Sequence, residues 1–69
     1  MRWHVVQSSS IARIGYDPAR RELGVAFLHG GTYVYAGVAA AVFEAFQAAE
    51  SKGRFFHAHI LDRYSFRRL

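Results

Sequence analysis

Glu22-Leu23-Gly24-Val25-Ala26-Phe27-Leu28-His29-Gly30-Gly31-Thr32-Tyr33-Val34-Tyr35-Ala36 is the stretch whose reading decides the fold. Leu23, Val25 and Phe27 fall on one face and Gly24, Ala26 and Leu28 on the other, which is the period of a strand. Gly30-Gly31 interrupts the alternation, and it resumes at Thr32. The pattern predicts a β-hairpin with strands over 22–28 and 32–36. Two registers are open. A two-residue Gly30-Gly31 loop sets Leu28 opposite Tyr33, with both tyrosines on the face away from Phe27. A three-residue His29-Gly30-Gly31 loop, with Gly31 left-handed, sets Phe27 opposite Tyr33 and Val25 opposite Tyr35. The second gathers Leu23, Val25, Phe27, Tyr33 and Tyr35 on one inner face and is the register expected. It leaves Ala26, Thr32 and Val34 outside.

On the N-terminal side, Ile11 to Tyr16 reads as another strand, with Ala12, Ile14 and Tyr16 on one face and Ile11, Arg13 and Gly15 on the other. Asp17-Pro18-Ala19-Arg20-Arg21 joins it to the hairpin, because Pro presets a turn and Asp bonds to the local backbone. Ser8-Ser9-Ser10 is a polar joint or strand entry, since no base stands near to make a serine a nucleophile. On the C-terminal side, Ala39 to Ala49 has six alanines, no Gly or Pro, and apolar Val42, Phe43 and Phe46, which predicts a helix. Ser51 is a fitting N-cap for a second helix to about Leu61, with Phe55, Phe56, His59 and Ile60 as its buried face. Gly53 weakens that helix's first turn by up to about 1 kcal/mol relative to Ala, a cost that calls for a close approach to the sheet or for open backbone N–H groups. The fold class expected is α+β. It is a three-stranded antiparallel meander, four-stranded if an edge strand joins it, followed by two helices packed on one face. Residues 1–69 form a single domain, with 1–7 an N-terminal arm or edge strand and 62–69 a basic C-terminal tail.

Charge is distributed unevenly. Lys52, Arg54, Arg63, Arg67 and Arg68 against Asp62 give +4, the whole formal charge of the 69 residues, while the first 51 sum to zero. An isoelectric point of about 10.1 favours an anionic partner. Phe55, Phe56, Tyr64 and Phe66 are interleaved with these cations, the composition that suits phosphates and unpaired bases. Ser51-Lys52-Gly53-Arg54 sets a cation, a small residue and free backbone N–H groups at a helix start, where an anion is favoured. A P-loop needs a longer Gly-rich loop before its Lys, and none is present. Arg63, Arg67 and Arg68 have the charge to neutralise phosphates. Tyr64 or Phe66 has the chemistry to stack on a base, but so small a domain needs its aromatics inside, which weighs toward packing.

Catalysis is not expected. His57 and His59 sit two apart, so on a helix they point about 200° apart and cannot share one metal. Carboxylates are few and scattered, and no activated nucleophile is legible. No metal, cofactor or small-molecule substrate is therefore predicted. No run reaches the roughly 18–20 apolar residues of a membrane span. Met1-Arg2-Trp3-His4 is not followed by a signal-peptide core, and cysteine is absent, so a cytoplasmic location is expected. With no disulfide available, and with a chain of this length burying only about 60% of its unfolded surface, homodimerisation is a further expectation.

Ser8-Ser9-Ser10-Ile11, Ile14-Gly15-Tyr16-Asp17, Phe27 with Gly30-Gly31, Tyr33-Val34-Tyr35, Ser51-Lys52-Gly53 with Phe56 and Ile60, and the closing segment from Tyr64 to Arg68 follow one another as in the KTSC domain, which this chain resembles from about Ser8 to Leu69. That domain is named for the C-terminus of some lysyl-tRNA synthetases and also stands alone in bacteria. The resemblance implies RNA as a partner, through the attachment to a synthetase. Tyr33-Val34-Tyr35 matches the family's paired tyrosines, whose usual polar middle residue is here Val34. With Leu28 and Ala26, Val34 makes the outer sheet face apolar, which implies pairing with a second chain through that face. Ala39 stands where the family often has Pro.

Overall fold

The computed structural model describes all residues, 1–69. Seven elements follow in order: β1 (Arg2–Val5), β2 (Ile11–Asp17), β3 (Glu22–Phe27), β4 (Thr32–Tyr35), α1 (Ala40–Ala48), α2 (Lys52–His59) and β5 (Phe66–Arg68). The strands form one antiparallel sheet in the order β1-β2-β3-β4-β5, and the two helices lie between β4 and β5 in sequence. The α+β meander with two helices is as expected, but the sheet has five strands rather than three or four. Both ends of the chain pair: residues 2–5 run along β2, and 66–68 run along β4. Each contributes too few residues to show a period of its own, so pairing with a neighbouring strand is what makes it a strand.

The central hairpin places Leu23, Val25, Tyr33 and Tyr35 on one face, as expected, but its register differs by two residues. Val25 lies opposite Tyr33 and Leu23 opposite Tyr35. The Phe27 N–H donates to the Gly31 carbonyl, so Leu28, His29 and Gly30 form the loop, with φ of 140° at Gly30 and 95° at Gly31. A shift of two preserves every face, which is why alternation alone does not separate these registers. A second correction lies in β2. Ile11 is 1% exposed and belongs to the core beside Ile14. A bulge between Ile11 and Arg13 inserts Ala12 and switches the face on which Ile11 lands.

The core is the layer between the sheet and the helices: Ile11, Ile14, Leu23, Val25 and Tyr35 from the strands, with Val38, Phe43, Phe46, Phe56 and Ile60 facing them. Phe46 stacks on Phe55, ring centroids 5.0 Å apart, and joins the helices. On α2 only Phe56 is buried, with Ile60 buried just past its end; Phe55 is half-buried and His59 is exposed, so the buried face is narrower than expected. Ser51 caps α2 by accepting from the Arg54 N–H at 3.2 Å. The Tyr16 hydroxyl donates to the Val38 carbonyl, and the Val38 N–H donates to the Arg21 carbonyl, which anchors the β4–α1 connection over β2 and β3. Tyr16→Phe is expected to lower stability by about 1–3 kcal/mol, because the Val38 carbonyl loses a buried donor. A shift in urea midpoint without a change in slope would register it.

The middle of the outer sheet face is covered by the chain itself. Trp3, Gly15, Gly24, Val34 and Arg67 form one cross-strand row. A Cβ on Gly24 would stand 2.4 Å from the Trp3 ring and 2.6 Å from the Met1 sulfur, so the indole lies flat where only hydrogen atoms fit beneath it. Arg13 stands 5.2 Å over the same ring. Arg67 pairs with Glu22 at 2.9 Å on the far side of Val34. Val34 and Ala26 are consequently 3% and 4% exposed, while Leu28, the third of the apolar residues that suggested sheet-to-sheet pairing, is 47% exposed. Gly24→Ala is expected to lift the chain's one Trp off the sheet. A red-shifted indole emission with a loss of about 1–3 kcal/mol would report it, whereas unchanged emission would refute the close packing.

Candidate aromatic cleft and its basic flank

The cationic residues singled out in the sequence do not converge. The Lys52 ammonium turns back to the Ala49 carbonyl at the end of α1. Gly53 sits under the Ser10 hydroxyl, which would be 3.0 Å from an added Cβ, so the close approach invoked for this glycine is to the β1–β2 connection. Arg54 is exposed and lines an open hollow with Ser9, Ser51 and His57. Arg63 and Tyr64 lie beside the groove between the helices, with Phe55 and His59, and Tyr64 packs half-buried against the core. Arg67 is on the outer face, tied to Glu22. Arg68 points to the inner side, 5.8 Å over the Tyr33 ring and against Gly31.

The Glu22–Arg67 pair has a legible electrostatic signature. The Arg67 guanidinium, by its hydrogen bond and its charge, holds the Glu22 carboxyl below the usual glutamate range. Because the folded value is depressed, the pair's contribution is present above the unfolded glutamate range and is lost as pH falls through the folded value. Exposure of Arg67 keeps that contribution small. In an NMR pH titration Glu22 is expected to titrate low, and Arg67→Ala is expected to return it toward the ordinary value.

The feature that alternation did not signal is a cleft of about 370 Å³ where β4 and β5 meet the end of α2 and the β3–β4 loop. Phe27, Tyr33, Tyr35, Phe56, Leu61 and Phe66 supply its apolar walls, and His29 and Asp62 its polar ones. The rings meet edge to face: Phe27 on Tyr33 at 5.9 Å, Tyr33 on Phe66 at 5.6 Å, Tyr35 on Phe56 at 5.7 Å. Pairing of β5 to β4 sets Phe66 opposite Tyr35 and Arg68 opposite Tyr33. Phe66 remains 61% exposed, whereas Tyr64, the other aromatic of the closing segment, packs inward. The alternation Tyr33-x-Tyr35 signals that these rings share a face; only the β4–β5 pairing brings Phe66 and Arg68 to them.

Tyr35 forms part of the cleft and is 5% exposed. Its hydroxyl has no hydrogen-bond partner in the protein. No buried side-chain oxygen or nitrogen in the fold lacks a partner, so this hydroxyl is the part of Tyr35 left open to the cleft. Burial, with the neighbouring Tyr33, raises its pKa above the ordinary phenol value, and it remains a neutral donor and acceptor. Asp62, in left-handed backbone with φ of 62°, stands at the end of α2 and forms no ion pair. Arg54 and His57, one turn apart on α2, line the hollow, whereas Leu61 and Asp62 of the cleft lie beyond the helix's last residue, His59.

No group of three or more His, Cys, Asp or Glu side chains is placed to hold a metal ion. No helix is long and apolar enough to cross a membrane.

Comparison with known proteins places these residues in a family context. The family model of the KTSC domain matches residues 7–64. A protein of Tsukamurella paurometabola is 44% identical over 59 residues, covering 86% of this chain and 88% of its own. An uncharacterized protein of Stutzerimonas stutzeri is 40% identical over 57 residues, covering 83% and 80%. The crystal structure of a KTSC domain protein from Yersinia pestis superposes with a TM-score of 0.97 at 41% identity, over 99% of this chain and 96% of that one.

Proposed function

The chain belongs to the KTSC domain family, and from that premise we propose that it is a binding module for single-stranded nucleic acid. One observation carries the reading. Phe66, 61% exposed, stands in an open aromatic cleft beside an arginine that lies over Tyr33. An unpaired base offers a flat π-face to such a ring, and stacking of this kind is worth about 1–3 kcal/mol per base. Arg68 supplies a cation beside the cleft, over the Tyr33 ring. A strand lying across the cleft would put a base toward Phe66 and a phosphate toward Arg68. Arg67 has no part in this, since it lies on the opposite face of the sheet and is engaged by Glu22.

Fluorescence anisotropy with a labelled single-stranded RNA over a salt series tests the reading. The logarithm of the association constant is expected to fall linearly with the logarithm of salt, by about 0.7 per phosphate contacted. Arg68→Ala is expected to weaken binding and to flatten the slope by about that amount, and Arg67→Ala to leave both unchanged. Absence of binding at about 50 mM salt, where charge contacts are weakly screened, would refute the proposal.

A further inference from the structure

We infer that the aromatic cleft is a pocket for one unpaired guanine base, read at its Watson–Crick edge by the Asp62 carboxylate and the Tyr35 hydroxyl; this rests on the nucleic-acid reading and narrows it. The cleft is open to solvent but large enough to take a base. At about 370 Å³ it falls within the roughly 300–1,000 Å³ typical of small-molecule pockets. Its walls are aromatic on several sides, which suits a planar ring over a flexible apolar chain.

The polar groups decide which ring. The Tyr35 hydroxyl has no partner in the protein and is not sealed from solvent, so the water it binds can be exchanged for a polar atom of a ligand in the cleft. Asp62 is the one acid of residues 51–69, and neither an ion pair nor a side-chain hydrogen bond occupies it. A carboxylate accepts and does not donate, so it calls for adjacent donors on the ligand. Guanine alone among the common bases presents two neighbouring donors, N1–H and the N2 amino group, matching two carboxylate oxygens. Uracil offers a single N–H flanked by two carbonyls that the carboxylate repels. Adenine and cytosine offer one amino group beside an acceptor nitrogen. Tyr35, able to donate or accept, serves the remaining polar atoms of the ring. Arg68 stands beside the cleft, where the backbone phosphate of the same nucleotide would pass.

The test compares three single-stranded RNAs of about eight nucleotides: uridine only, the same with one central guanine, and the same with one central adenine. Anisotropy titrations with the parent protein are expected to show the guanine oligonucleotide bound roughly ten-fold or more tightly than the other two. Asp62→Asn keeps the left-handed backbone that Asn tolerates. It is expected to bring all three within about two-fold, without weakening the uridine oligonucleotide. Tyr35→Phe is expected to reduce the guanine preference while leaving the ring in place. Equal, salt-dependent binding of all three by the parent would overturn the guanine pocket and leave the broader reading standing. A guanine preference that survives Asp62→Asn would likewise overturn it. No binding of any oligonucleotide at about 50 mM salt would overturn both.

Discussion

Phe46→Ala is expected to remove about 3–5 kcal/mol, a large share of the chain's total stability. Phe46 is 0% exposed and the largest fully buried side chain. Its ring stacks on Phe55 across the two helices, interplanar angle 14°. Truncating a buried Phe to Ala costs about 3–5 kcal/mol through lost transfer energy and an unfilled cavity. A chain of 69 residues has only about 3–10 kcal/mol of total stability at roughly 0.05–0.15 kcal/mol per residue. No disulfide restrains the unfolded state. Alanine is the better helix former, so the loss cannot be assigned to helix propensity and isolates packing. Far-UV circular dichroism in urea would measure it, with Phe46→Leu as the milder comparison. A shift worth less than about 1 kcal/mol would mean that α1 contributes little to the core, contrary to its burial.

Phe66→Ala is expected to do the reverse, weakening binding while sparing the fold. The side chain is 61% exposed, and its protein contacts are ring edges of Tyr33 and Tyr35 on an edge strand. Such cross-strand contacts contribute roughly 0.2–1 kcal/mol. As the stacking platform it would contribute about 1–3 kcal/mol per base, so affinity for single-stranded RNA should fall about 5- to 150-fold. Unchanged affinity with an unchanged melting curve would remove Phe66 from the site. The pairing with Arg67→Ala is informative: the two residues are neighbours in sequence, and only Phe66 faces the cleft, because adjacent positions on a strand point to opposite sides.

The candidate site was only partly legible in the chain. Arg54, Arg63, Arg67 and Arg68 stand close together in sequence and suggest one basic surface, but the structure sends them to separate faces. Arg67 and Arg68 part because β5 is a strand with period two, and Arg63 lies in the turn that follows α2, before β5 begins. Tyr64 and Phe66 are chemically alike and two residues apart. Tyr64 meets the groove between the helices, and Phe66 meets β4. Asp62 read as a loop acid, and only its place at the end of α2 beside the β4–β5 edge gives it an aromatic neighbour.

By itself the sequence determined the fold class, the inner faces of β3 and β4 and the existence of both helices, because these depend on local periods of two and 3.6 residues. It also determined the family, through motifs in a fixed order. Only the tertiary structure decided the two-residue difference in hairpin register, the bulge at Ala12 and the two edge strands. These leave the local pattern intact or are too short to carry one. The cleft belongs to the same class of facts. It exists because residues 66–68 return to β4 after two helices, and the pairing energy that brings them there comes from backbone groups more than thirty residues away in the chain, which no local alternation of side chains records.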